Sequence, residues 1–273
     1  MNHLSLNVPR QPNLRAAVLA GVVLGVLASQ GRAVTPELRE LDSARQFATE
    51  RLGAADPDKL PYSFIYYGRP STEVLSTWQR SEKTESLDPA HTRHTVTYTD
   101  PQTGMQLRCE SVEYTDFPTV EWTLHFRNTG KSETPILENI QALDMAWQRT
   151  GDPEFLLHHA AGSQANRSDY APRETVLLPN ESKRLGGAGG RPTNVDWSYF
   201  NLQWDDQGVI AAVGWPGQWA AELKRDGGRK LHVCAGQELV HTKLLPGEEI
   251  RSPLIVVQFW QGDYYRSQNL WRR

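Results

Sequence analysis

At 273 residues the chain is long enough for one large all-β domain or two small ones, and its evenly spread turn signals favour one. A net charge of −3, a pI near 6.3 and the lack of any basic stripe exclude nucleic acid and an anionic membrane surface as implied partners. Two cysteines, Cys109 and Cys234, are too few for a disulfide scaffold.

The first predicted element is an address. Arg10 and Arg15 precede an apolar run over residues 16–28, too short to span a bilayer comfortably, and Gly31-Arg32-Ala33 offers small residues where a signal peptidase reads. Residues 1–33 are therefore expected to be a cleaved signal peptide, giving a secreted or periplasmic protein with no membrane attachment afterwards. In residues 36–52, Leu38, Leu41, Ala44, Phe47, Ala48 and Leu52 fall near helical spacing, with Thr35 as the expected N-cap ahead of Pro36. Asp56-Pro57-Asp58 breaks that pattern, so residues 34–58 read as a helical leader.

From residue 59 to 262 the period is two. Val120, Trp122, Leu124 and Phe126 alternate with Glu121, Thr123, His125 and Arg127, which places the apolar set on one face of a strand. Comparable runs occupy residues 94–99, 105–114, 175–178, 209–215, 231–235 and 254–260, separated by turn clusters at 100–104, 128–131, 205–208, 226–228 and 246–248. Many strands joined by short turns predict antiparallel sheets stacked face to face, an all-β sandwich with a short N-terminal helix. Residues 263–273 read as a helix capped by Asp263.

The cysteines sit where alternating strands want small apolar residues and are expected to be buried free thiols, although export permits a bond between them; neither has a metal-ligand neighbourhood in sequence. His158 and His159 are adjacent on a strand and point to opposite faces, which predicts one packed, one exposed and no shared metal. Asp144, Asp205, Asp206, Glu222 and Asp263 are the acids set near aromatics, of which Asp205 and Asp206 are explained by a turn and Asp263 by its cap. Asn166 and Asn180 open glycosylation sequons, a weak pattern on its own. The glycine cluster at 186–190 reads as a mobile loop that lets backbone approach a neighbour.

Four of the nine tryptophans fall within residues 190–219, GRPTNVDWSYFNLQWDDQGVIAAVGWPGQW, beside glycines, prolines and amides. Flat aromatics interleaved with hydrogen-bonding groups suit sugar surfaces, although a hairpin whose tryptophans fill a core accounts for most such residues. The order of motifs is more specific. GRPTN, YFNL and GVIAAVGWPGQW, together with DFPTVEWTLHFRNTG at 116–130, TPILENIQALD at 134–144 and LLPGEEIRSPLIVVQFWQGD at 244–263, resemble the N-terminal domain of family 36 glycoside hydrolases, the α-galactosidase type, over about residues 61–273.

That resemblance implies a large supersandwich like that of galactose mutarotases, and a partner: the catalytic (β/α)8 barrel that follows this domain in the full-length enzyme and carries its catalytic pair. Residues 263–273 would then begin the linker helix, and no catalytic residue, metal or cofactor is expected here. The ligand implied is a galactoside-type carbohydrate. By the same resemblance the rim contacts fall on Arg191, Asn194, Trp197 and Tyr199, with Asp169 and Tyr170 as a second loop; packing is the stronger expectation for Tyr199. Without a barrel, the surface near Phe259, Trp260, Tyr264 and Trp271 is expected to lie open and to drive self-association, as aggregation or as a homo-oligomer. Two other readings stay open: a free-standing carbohydrate-binding module and a mutarotase-like epimerase, though the latter needs a carboxylate base that nothing picks out.

Overall fold

The computed structural model describes residues 34–273; the expected signal peptide lies outside the described residues. In chain order, α1 (Leu38–Phe47) runs into one π-helical turn at Ala48–Leu52, followed by β1 (Ser63–Tyr66), β2 (Arg69–Pro70), α2 (Ser71–Leu75) and β3 (Gln79–Ser86). Next come β4 (His91–Thr99), β5 (Met105–Tyr114), β6 (Thr119–Asn128), β7 (Leu137–Gln148), β8 (Phe155–Ala160), β9 (Pro172–Leu177) and β10 (Ser182–Gly186). The rest are β11 (Tyr199–Trp204), β12 (Gln207–Gly214), β13 (Trp219–Arg225), β14 (Lys230–Gln237), β15 (His241–Thr242), β16 (Glu249–Arg251), β17 (Leu254–Gln261) and α3 (Tyr264–Trp271).

The strands form two antiparallel sheets. A seven-stranded sheet is ordered β10-β13-β14-β7-β1-β2, with β15 also on β7; a ten-stranded sheet is ordered β3-β4-β5-β6-β17-β12-β11-β8-β9, with β16 also on β6. The period-two expectation holds where one face is buried. Val120, Trp122, Leu124 and Phe126 are all sealed in the core between the sheets, and the Trp122 indole N–H donates across it to the Ala142 carbonyl at 2.7 Å. In this way β6 and β7 are tied by a bond that an apolar core alone would not specify.

Two strands escape the period. β7 carries a register shift opposite Ala235 and Gly236 and a left-handed residue, Asn139 at φ 52°, so its burial does not alternate. A Cβ on Gly236 would collide with the Ile140 carbonyl, which is why a glycine sits at that bulge. β3, QRSEKTES, is almost wholly exposed at one edge of the large sheet and has no apolar face to betray it.

The N-terminal helix differs from expectation at its start. Glu37 rather than Thr35 is the N-cap, because Glu40 one turn in reaches back to the Glu37 N–H at 2.7 Å. Leu38 is exposed, and Glu40 is fully buried in its stead. The Glu40 carboxylate also takes the Gln261 N–H at 2.9 Å and the Arg266 guanidinium at 2.7 Å, joining α1, β17 and α3. Phe47 packs on Trp122 and Phe259, with ring centroids 5.7 and 5.5 Å away.

The surface near Phe259, Trp260, Tyr264 and Trp271 is not open. α3, capped by Asp263 at the Arg266 N–H, lies on the outer face of the large sheet and forms a second small core of Ile210, Trp260 and Leu270, flanked by Val34, Phe117, Tyr199 and Trp271. Under it the Trp260 indole donates to Asn201 Oδ1 at 2.9 Å, and Asn201 Nδ2 donates to Ser267 Oγ at 2.8 Å. The expectation that this surface lies open therefore fails: the chain's own helix covers Trp260. Cys109 and Cys234 are both free, the first in the core and the second half-buried on the outer side of the small sheet. Among the described residues no helix is long and apolar enough to cross a membrane.

Candidate functional site

Three of the six residues expected at a sugar rim meet in one cleft. Tyr170, Trp197 and Tyr199 line a hollow of about 460 Å³ together with His158, His159 and Tyr264. β8 supplies the histidines, β11 begins at Tyr199, and the 161–171 and 187–198 loops bring in Tyr170 and Trp197. The Tyr170 and Trp197 rings meet edge to face, with centroids 4.8 Å apart, and are 52% and 38% exposed. Tyr199 is packed as expected: its hydroxyl donates to Gln268 Oε1 at 2.9 Å, its ring lies against Trp271, and burial pushes its pKa up to about 12.

The other three expected residues do not line the cleft. Asn194 is spent on the loop itself, accepting from the Ala188 N–H at 2.8 Å and donating to the Ala188 carbonyl at 2.9 Å. Arg191 stands exposed beside it, at the end of the Ala188–Arg191 bridge. Asp169 is a clamp: its carboxylate accepts Ser163 Oγ at 2.7 Å and the backbone N–H groups of Gln164, Ala165 and Asn166. Those bonds, the Ser163 hydroxyl foremost, hold its pKa below the usual carboxylate value. They also hold Tyr170 at φ 59°, a left-handed conformation that a bulky residue keeps only when its surroundings over-determine it. In the glycine loop, a Cβ on Gly187 would strike the Arg191 carbonyl, the close approach expected of that cluster.

Both histidines are buried, correcting the expectation of one exposed ring. His159 points to the core side, bonds Thr175 Oγ1 at 3.2 Å and leaves Nδ1 without a partner. Burial, then the nearby Lys183 and Arg173 charges, pulls its pKa down, with Asp196 opposing. His158 points outward but is roofed by Tyr264, stacked at 4.2 Å, with Nδ1 3.0 Å from Glu174 and Nε2 3.0 Å from Gln203. The acids around the cleft are engaged: Glu174 with His158, and Asp196 with the Gly186 N–H and Arg173. Asp205 takes a left-handed turn conformation at φ 53°, but its carboxylate serves a distant loop rather than that turn; although partial burial opposes it, bonds from Thr150 and Gly151 lower its pKa.

A second constellation, missed in sequence, lies on the outer face of the small sheet. His232 and Cys234 are two apart on β14 and so share a face, and Asp144 on β7 stands directly opposite Cys234 in register. Asp144 Oδ1 is 2.6 Å from His232 Nε2 and 3.5 Å from Cys234 Sγ, and Cys234 Sγ is 3.6 Å from His232 Nδ1. The Ser63 hydroxyl donates to Asp144 Oδ2. Asp144 and His232 open onto a cleft of about 720 Å³ bordered by Tyr62, Gln148 and Lys230. Burial first, then the Asp144 carboxylate, pushes the Cys234 thiol up to about 12. Cys234 thus has a metal-ligand neighbourhood after all, built by strand pairing rather than by sequence spacing. Its only linear trace is His-x-Cys.

The fold, two antiparallel sheets stacked over one core, is shared with solved structures of family 36 glycoside hydrolases. The solved structures most informative here are α-galactosidases. That from Lactobacillus brevis superposes with a TM-score of 0.58 at 15% identity, covering 96% of this chain and 37% of that one. A variant of α-galactosidase AgaA from Geobacillus stearothermophilus, solved with raffinose, gives 0.60 at 12% identity, covering 78% of this chain and 32% of that one. An α-N-acetylgalactosaminidase from Bifidobacterium bifidum matches at 0.50 and 9% identity, covering 79% and 33%. At such identities the likeness is one of fold, and this chain spans only about a third of their length. No protein-family model and no curated protein matches the sequence.

Proposed function

We propose that this chain is the sandwich domain of an exported α-galactosidase-like glycoside hydrolase, acting as scaffold and pocket wall beside a catalytic (β/α)8 barrel. The observation that carries the reading is the lopsided coverage: nearly all of this chain matches about a third of an α-galactosidase. In this reading Tyr170 and Trp197 present apolar faces to a galactoside, Arg191 stands at the rim, and Asn194 and Asp169 hold the two loops in shape. Hydrolysis falls to the barrel, because retaining glycosidases need two carboxylates about 5–5.5 Å apart and the acids around this cleft are already occupied by structural partners.

A free-standing carbohydrate-binding module is the second reading, favoured by one feature: Tyr170 and Trp197 are exposed on loops already fixed by their own hydrogen bonds, so little ordering entropy opposes binding. Calorimetric titration of the 34–273 polypeptide with galactose and a raffinose-type oligosaccharide separates the two. The scaffold reading expects affinity no tighter than millimolar, roughly −4 kcal/mol, and no turnover of an aryl galactoside above a buffer blank. Micromolar binding abolished by Trp197→Ala would establish the module instead. Export is checked by sequencing the N-terminus of the mature protein, where Val34 is expected first.

A further inference from the structure

We propose that Asp144, His232 and Cys234 form a binding site for one thiophilic divalent cation, zinc being the fitting case. The site is independent of the sugar cleft and of the reading just given. Its three donors come from two directly paired strands, so the ladder already holds their backbones where the side chains converge, and the ligating atoms lie within 4.8 Å of one another.

Tetrahedral zinc, with bonds of about 2.0–2.3 Å, separates its donors by about 3.3–3.8 Å. Cys234 Sγ already stands 3.5 Å from Asp144 Oδ1 and 3.7 Å from His232 Nε2. The Asp144 to His232 separation of 2.6 Å is that of a hydrogen bond, which a metal would replace by opening the pair about 1 Å. Charge balances: thiolate and carboxylate supply two negative charges, and imidazole binds neutral, so loading releases the thiol proton to solvent. Ser63, donating to the other carboxylate oxygen, fixes the orientation of Asp144 as an outer partner does in metal sites. The fourth position faces the 720 Å³ cleft and is left to water, the pattern of an open rather than a closed zinc centre.

A cysteine–histidine–aspartate nucleophile is the competing use of these groups, and the geometry disfavours it. In a relay the acid orients the imidazole and the thiol meets the far nitrogen. Here Asp144 Oδ1 contacts thiol and imidazole alike, and Sγ is 3.6 and 3.7 Å from the two ring nitrogens, beside the ring rather than in line with either.

The test is cobalt(II) titration of the reduced 34–273 polypeptide, followed by zinc displacement. One equivalent of Co²⁺ is expected to produce thiolate-to-metal charge-transfer absorption in the near ultraviolet and tetrahedral ligand-field bands in the visible, both bleached by Zn²⁺. Cys234→Ser is expected to abolish the charge-transfer band, and His232→Gln and Asp144→Asn each to weaken zinc binding by about 10–100-fold. Cys109→Ser, in the buried core, leaves the spectrum unchanged. Circular dichroism and urea midpoints confirm that each variant is folded. The proposal is overturned by the absence of saturable binding, by bound Co²⁺ without a thiolate band, or by a band that survives in Cys234→Ser.

Discussion

The two outer faces of the sandwich are put to opposite uses. On the large sheet α3 and α1 seal Trp260, Asn201, Ser267 and Glu40 away from water, and each of these polar groups has a partner within the protein. On the small sheet Asp144 and His232 line a broad cleft open to solvent, with Cys234 half-buried beside them. Covering a sheet obliges every polar group beneath to be satisfied internally, whereas an uncovered face can hold donors in reserve for a ligand.

Breaking the covered face should have the largest effect. Glu40→Ala leaves the Gln261 and Glu37 N–H groups without their acceptor and takes from Arg266 one of its partners, Thr35, Gln261 and Glu37 remaining, and a loss of about 3–5 kcal/mol is expected from urea denaturation; Glu40→Gln, which keeps an acceptor, should lose less. Trp260→Phe removes the only side-chain donor to Asn201 Oδ1 found among the described residues and opens a void beside Ile210, with an expected cost of about 2 kcal/mol in the same assay.

An acid titration sharpens the contrast at the aromatic cleft. His159 has its pKa depressed by burial in the folded protein, so as pH falls through the ordinary imidazole value of about 6.5 the unfolded chain takes up a proton that the folded one resists. Stability should therefore fall with pH across that window and level off below the folded pKa; His159→Gln should show a shallower acid limb in thermal melts recorded from pH 7 to 5. The smallest effect belongs to the bare face. Without metal, His232→Ala should change stability by no more than about 0.5 kcal/mol, and a loss as large as that of Trp260→Phe would erase the distinction between the faces.

Legibility in the sequence followed burial. The Val120-to-Phe126 strand alternates because one side is core and the other is not, and its register could be read directly. β7 was hidden by its bulge and by Asn139, and β3 by having no apolar face at all. Within the aromatic window, Trp204 and Trp219 fill the core as the hairpin reading expects, and only Trp197 is exposed, so composition marked the region while individual roles depended on tertiary packing. Asp169 and Asn194 were located correctly as loop residues, but their hydrogen-bonding capacity is consumed by those loops. The metal-ligand set was out of reach because Asp144 and His232 lie 88 residues apart, joined only by the pairing of β7 with β14. The second core was missed for a related reason: nothing in the spelling of α3 says which surface it lies upon.

The polar edge of the large sheet bears on how the protein survives its own folding. A ten-stranded antiparallel sheet whose sequential hairpins must still be joined by distant pairings, such as β6 with β17, forms slowly, and during that interval an unpaired strand is a template for any passing chain. β3 presents Glu82, Lys83 and Glu85 along that template, and the opposite border, β9, begins with Pro172, which has no N–H to offer. Neither border invites a stranger. Growth of the large sheet by strand addition is thereby discouraged at both ends, which leaves its side-chain faces and loops, rather than its backbone, as the places where it can be joined to something larger.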